Sequence, residues 1–117
     1  MNLGLDEWQE KMERHFEALS KQRAHSGLPI FALEHGLCES DLEEIASQLR
    51  ARLLDGKRLS SHWLLWTIYA AEKGYTYDGD EYWQSFEEAT PGWDGRFRYL
   101  ISTWFSRFQR TYQGVTP

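Results

Sequence analysis

The stretch HWLLWTIYAAEKGY, residues 62–75, determines how the rest of the chain must be arranged. If it is wound into a helix, apolar side chains cover nearly every side of it. A helix of this kind has to be buried by neighbouring elements. Ser60 or Ser61 is a suitable N-terminal cap, and Gly74 is a natural C-terminal stop. We therefore predict a central helix surrounded by amphipathic ones.

Amphipathic helical patterns occur on both sides of this stretch. We predict a first helix over about 5–24, a second from Ser40, a short fourth over 81–89 and a last one after Gly95. Ser40 and Glu43 fit a capping box, in which each side chain accepts from a backbone amide of the motif. The expected fold class is all-α: a single compact bundle of four to five helices with an aromatic-rich core.

The predicted core joins the third helix to the last one. It consists of Trp66, Ile68, Tyr69, Leu100, Ile101, Trp104 and Phe105. Residues 28–37 are predicted to be extended or turn-like, with Ile30, Phe31 and Leu33 docked on the helices. They can supply a short strand, but a single strand makes no sheet.

Length and composition set the broad class. A chain of 117 residues fits one domain. Cys38 is the only cysteine, so no internal disulfide is possible, and this favours a reducing compartment. The N-terminal region lacks the apolar segment of a signal peptide, and no apolar run is long enough to span a membrane. A cytoplasmic location is therefore expected. The end at QGVTP, directly after an apolar helix, fits the N-terminal part of a longer chain as well as a complete domain.

The charged residues, which give a formal net charge of −5, are distributed unevenly along the chain. Residues 95–117 hold four arginines and no acid, whereas residues 1–94 hold all 18 acidic residues. Arg96, Arg107 and Arg110 fall near one face of the last predicted helix. Arginine binds phosphate and carboxylate with two hydrogen bonds at once. This face is therefore either a solvated or internally paired surface, or a contact for nucleic acid or an acidic partner. The acidic balance of the whole chain disfavours general DNA affinity.

The acidic and aromatic stretch TYDGDEYWQSFEEATPGW, residues 76–93, is a second candidate surface. The residues expected to contact a partner are Asp78, Asp80, Glu81, Tyr82 and Trp83. Asp78 and Asp80 match the first two ligand positions of a calcium loop, but Tyr82 and Trp83 stand where an oxygen ligand and glycine are required. A turn at Asp78 followed by helix capping at Asp80 explains the acids equally well. Because aromatic residues are rare in disordered linkers, we expect an ordered element here.

No catalytic or metal-binding pattern is present. No two histidines have the spacing of a zinc-binding helix, and His35 with Cys38 lacks a second cysteine. His62 and Glu72 share a helix face but stand ~15 Å apart, too far for a dyad. Nothing around Cys38 resembles a nucleophile motif, and a buried or incidental thiol is the simpler interpretation. We expect no enzyme, no cofactor and no metal.

The run from Leu59 to Trp93 resembles N-terminal regions of large bacterial proteins encoded in mobile-element or phage-defence islands. In those regions an apolar helix ending in YAAE precedes an aromatic and acidic stretch. The resemblance implies a bacterial origin and a place in a longer protein, and it carries no site residue with it.

Three functions follow as expectations. The first is a non-enzymatic helical module that binds another protein or another domain of the same protein. The second is a small acidic protein of the immunity or antitoxin kind, which binds a basic partner. The third is nucleic-acid binding through the last helix. A membrane partner is not expected.

Overall fold

The computed structural model of the chain describes residues 3–24, 26, 28, 30–54, 59–75, 82–93, 97–112 and 114–115. The elements in chain order are α1 (Leu5–Arg23), β1 (Ile30–Phe31), α2 (Glu39–Leu54), a 3₁₀ turn (Leu59–His62), α3 (Trp63–Tyr75), α4 (Tyr82–Ala89), α5 (Arg98–Tyr112) and β2 (Gly114–Val115). The predicted all-α bundle is confirmed, with one short pair of strands added to it.

Helix α3 lies at the centre of the bundle and contacts each of the other four helices. Every residue from Trp63 to Ala71 is buried, as expected for a helix that is apolar all round. The predicted contact with α5 is present. Gly74 lies inside α3, which ends one residue later at Tyr75, so the predicted stop is displaced slightly.

Aromatic side chains fill the space around α3. Trp66 stacks on Trp104 with ring centroids 6.3 Å apart, and Trp93 lies 5.4 Å from Trp66. Such offset arrangements are favoured because aromatic rings carry a quadrupole. Five of the seven predicted core residues are buried, whereas Leu100 and Phe105 are only partly buried. The buried stripe of α5 runs through Ile101, Trp104, Phe108 and Tyr112, and those two residues flank it.

Strand β1 does have a partner, contrary to the sequence-based expectation. It pairs in parallel with β2, which follows the last helix, with Ile30 opposite Gly114. Gly114 is required there because a Cβ would lie 2.6 Å from Cδ1 of Phe108. Ile30 is 2% exposed, so the strand pair fixes the 28–37 segment on the bundle.

Helix α2 begins two residues earlier than the capping box predicts, with Cys38 and not Ser40 at the cap position. The carbonyl of Cys38 accepts the first helical hydrogen bond, from the amide of Leu42 at 3.0 Å. Ser40 therefore lies inside the first turn, where its side chain cannot cap the helix, and its Oγ lies 3.1 Å from Sγ of Cys38. Cys38 itself is exposed, so of the two interpretations of this thiol, buried or incidental, the buried one is wrong. Among the described residues, no helix is long and apolar enough to cross a membrane.

Candidate functional site

Most of the predicted partner-contacting residues lie outside the described part of the chain. This applies to Asp78, Asp80, Glu81 and Arg96. Tyr82 and Trp83 form the first turn of α4, and their side chains lie outside the described part as well. The binding role of this acidic and aromatic stretch stays a prediction.

The rest of the same stretch is ordered around two anchors. Phe86 on α4 is fully buried, and Trp93 packs edge-on against it with ring centroids 5.1 Å apart. Gly92, with a φ of 90°, forms the turn between α4 and Trp93. The described half of the predicted element is therefore docked on the bundle by its aromatic residues.

The two described arginines of the predicted basic face have different surroundings. The guanidinium of Arg107 lies over the ring of Trp63, 4.3 Å from its centroid, and Arg110 donates from Nε to the carbonyl of Ser106 at 3.4 Å. Both are exposed. Contact of these arginines with a phosphate or carboxylate stays a prediction.

Three histidines form long-range hydrogen bonds that the sequence did not reveal. His15 donates from Nε2 to the carbonyl of Glu34 at 2.6 Å. His35 donates from Nε2 to Glu72 at 2.6 Å, and His62 donates from Nε2 to Asp6 at 2.7 Å. His62 and Glu72 were predicted to share a helix face, and in the structure each forms a hydrogen bond with a different residue. Within the described residues, no group of three or more metal-ligating side chains is present. These pairs connect elements that lie far apart in the sequence.

The segment between α1 and α2 is fixed by Glu34. Its carboxylate accepts two hydrogen bonds from Arg23, at 2.6 and 2.7 Å, and one from the amide of Phe31 at 2.7 Å. The hydrogen bonds from Arg23 lower the pKa of Glu34 from 4.5 to about 2. The amide and carbonyl of Phe31 are both bonded to Glu34, so the free edge of β1 is already occupied.

An acidic groove made of adjoining depressions lies between the N-terminal end of α1 and the outer side of α2. It consists of two depressions of about 750 and 410 Å³ that share Gly4 and Gln48. Gln48 donates from Nε2 to the carbonyl of Leu3 at 2.8 Å, which holds the two elements together. We call this the acidic groove. Its charged lining residues are Asp6, Glu7, Asp41, Glu43, Glu44 and Arg52.

Five carboxylates and one guanidinium give the acidic groove a strongly negative potential. Glu43 is paired with Arg50 at 3.0 Å, but that arginine compensates only one of the five. Oε1 of Glu44 is buried and has no hydrogen-bond partner among the described residues. Nε of Arg52 is likewise buried and has no partner there. A buried carboxylate oxygen without a donor is costly to the folded state.

The opposite side of α2 borders a second groove, of about 410 Å³, which we call the α2–α3 groove. Its floor is apolar and consists of Leu42, Ile45, Ala46, Ile68 and Tyr69. Its charged lining residues are Glu39, Glu43, Glu72 and Lys73. Glu43 lines both grooves, so α2 is an acidic ridge between them.

The carboxylates of this ridge are visible in the sequence as one local run. Residues 39–44 read ESDLEE and contain four carboxylates in six positions. Asp and Glu are also favoured in the first turn of any helix, where they face the positive end of the dipole, so the run alone does not distinguish a site from a stable helix end.

Comparison of the chain with protein-family models, with curated proteins and with solved structures finds no match.

Proposed function

We propose that this chain is a non-enzymatic interaction module that binds a basic segment of a partner protein through the acidic groove. The observation that carries the proposal is the charge of that groove: five carboxylates line it, Arg52 is the basic residue among its described lining, and Arg50 pairs with one of the five, Glu43. Grooves lined by one sign of charge concentrate ligands of the opposite sign and raise association rates. A lysine- or arginine-bearing surface is the complementary ligand.

The groove also offers specific contacts in addition to its field. A partner guanidinium can bind two carboxylate oxygens at once, so the exposed carboxylates that line the groove are suitable acceptors for it. Rim charges such as Glu7 and Asp41 would mainly steer the encounter and make it dependent on salt. We therefore expect fast association at low ionic strength and a steep loss of affinity as salt is added.

The partner is either another protein or another domain of the same protein. The resemblance of residues 59–93 to N-terminal regions of bacterial phage-defence and mobile-element proteins supports a role inside a larger assembly. The single cysteine supports an encounter in the reducing cytoplasm.

The test is calorimetric titration with an oligo-arginine peptide at ~50 mM and ~200 mM salt. The double variant Asp41→Asn/Glu44→Gln should bind at least ~5-fold more weakly at the lower salt, since about 1 kcal/mol is lost with two charges. The matched control is Glu10→Gln/Glu17→Gln, which removes the same charge from exposed ion pairs of α1 that line neither groove. Equal weakening by both double variants would show that net charge, and not the groove, attracts the peptide.

A further inference from the structure

We infer that the α2–α3 groove is the anchor pocket of the same partner and receives one of its arginine side chains. This inference rests on the proposed function. It adds the residue type that is bound and the place where it is bound.

The shape and floor of the α2–α3 groove fit the stem of a long basic side chain. Its volume of about 410 Å³ lies in the range of small-ligand pockets. The floor side chains, such as Ile45 and Ile68, are apolar. Arginine has an apolar stem and a charged head, and it buries the stem along such surfaces while the head reaches polar groups at the rim.

Glu72 is held in place as the acceptor for the head group. The imidazole of His35 accepts at Nδ1 from the amide of Leu37 at 3.0 Å, so Nε2 carries the proton and donates to Oε1 of Glu72 at 2.6 Å. His35 is 6% exposed, and its ring orientation is therefore fixed by two hydrogen bonds and by burial. A carboxylate that is positioned before binding loses less conformational freedom when a guanidinium arrives.

The other rim charges support arginine as the occupant. Glu39 is exposed and has no ion-pair partner among the described residues, so it is free to bind a cation. Glu43 is paired with Arg50 at 3.0 Å, so Glu39 and Glu72 are the carboxylates opposed to Lys73, whose Nζ lies 5.6 Å from the centroid of the Tyr69 ring. The planar guanidinium can bind two carboxylate oxygens at once, which the point charge of lysine cannot do.

The position of Glu43 links this pocket to the acidic groove. Glu43 lines both, so a partner segment that crosses α2 at this residue reaches the two grooves together. We therefore expect an arginine on one side of the crossing point and further basic residues on the other.

The direct test is a titration of the ¹⁵N-labelled protein with N-acetyl-arginine methylamide, followed by amide chemical shifts. Shifts should concentrate at Ala46, Ile68 and Glu72. The neutral isostere N-acetyl-citrulline methylamide should bind at least ~5-fold more weakly, because it lacks the charge. Equal shifts with both compounds would show an apolar pocket without selectivity for a cation and would overturn the inference. An absence of shifts in these residues would overturn it as well.

A pair of variants separates this inference from the proposed function. Glu72→Gln retains an oxygen that can accept from His35, so the fold should be kept while the charge is lost; it should abolish the preference for arginine over citrulline. Asp41→Asn/Glu44→Gln should leave that preference unchanged. If oligo-arginine binding depends on the acidic groove but the arginine probe does not enter the α2–α3 groove, only the anchor pocket is wrong. If the probe enters and oligo-arginine binding is independent of the acidic groove, only the proposed function is wrong.

Discussion

The carboxylate of Asp6 and the imidazole of His62 lie 2.7 Å apart and join the first turn of α1 to the turn that precedes α3. The two side chains have opposite environments, since His62 is 1% exposed and the Asp6 side chain is 90% exposed. The bond therefore connects a buried ring to a carboxylate at the surface. Nδ1 of His62 has no hydrogen-bond partner within the described residues, so Asp6 is the partner that this buried ring has there.

Replacing Asp6 tests the value of that bond. Asp6→Ala leaves Nε2 of His62 without its acceptor and should lower the free energy of unfolding by about 1 kcal/mol. Asp6→Asn should cost less, because the amide oxygen can still accept. Urea unfolding followed by tryptophan fluorescence gives both values. Glu17→Ala is the control, since its pair with Lys21 is exposed and should contribute less than ~0.5 kcal/mol. A loss in Asp6→Ala no larger than in this control would contradict the prediction.

Trp104→Ala should be among the most damaging single substitutions in the described core. Trp104 is 2% exposed and stacks on Trp66 in the contact between α3 and α5. Truncation of a buried tryptophan typically costs ~3–5 kcal/mol, because a cavity remains. Thermal or urea unfolding measures the loss. A value below ~1 kcal/mol would mean that this side chain is not part of the core.

Gly114→Ala should destabilise the chain by about 1–3 kcal/mol through overpacking. The added methyl group would overlap the ring of Phe108 and lie 3.1 Å from the carbonyl of Ile30. Gly4→Ala is the matched control, since its Cβ would meet only Oε1 of Glu7 at 3.6 Å; it should cost less than ~1 kcal/mol. Urea unfolding measures both. Similar losses at the two glycines would argue against the tight contact between β2 and α5.

Glu34 should make part of the stability dependent on pH. Its folded-state pKa of about 2 is below its ordinary value of 4.5, so the unfolded chain takes up this proton first as the pH falls. The contribution is fully present above pH 4.5 and is lost progressively toward pH 2. Both Glu34 and Arg23 are partly exposed, at 33% and 25% of their side chains, so solvent screening reduces the contribution to about 1 kcal/mol.

The measurement for Glu34 is the difference in unfolding free energy between pH 7 and pH 3. The unmodified chain should lose more than half of this contribution of about 1 kcal/mol over this range, whereas Glu34→Gln, which cannot titrate, should lose none of it. Comparing the two differences cancels the contributions of the other carboxylates. Identical pH dependence in the two proteins would show that the pair with Arg23 does not hold this carboxyl in its charged form.

The helices could be predicted from local patterns, because the apolar spacing that indicates a helix involves residues close together in the sequence. The apolar run 63–71 and the α5 stripe through Trp104 and Phe108 each identify a buried face without knowledge of the partner. The misplaced start of α2 has a local cause too. The sequence pattern predicted Ser40 as the cap residue. In the structure, the carbonyl of Cys38 accepts the first helical hydrogen bond.

The remaining features depend on contacts between distant parts of the chain. Nothing near His35 indicates that Glu72 will lie beside it, and nothing near Ile30 indicates a partner at Gly114. The acidic groove has the same origin. The run 39–44 supplies its carboxylates, but the groove exists only because the N-terminal end of α1 lies against α2 at Gln48.

The pairing of β1 with β2 also affects the order in which parts of the chain can fold during synthesis. Ile30 is made early, whereas Gly114 is made after all five helices, so the nascent chain carries an uncovered Ile30 during most of its synthesis. Closing the long loop between Ile30 and Gly114 costs conformational entropy. The strand contacts offset this cost only after the helices have brought the two segments together. The strand pair is therefore expected to be the last part to form as the chain leaves the ribosome, and until then Ile30 lacks its neighbour on β2.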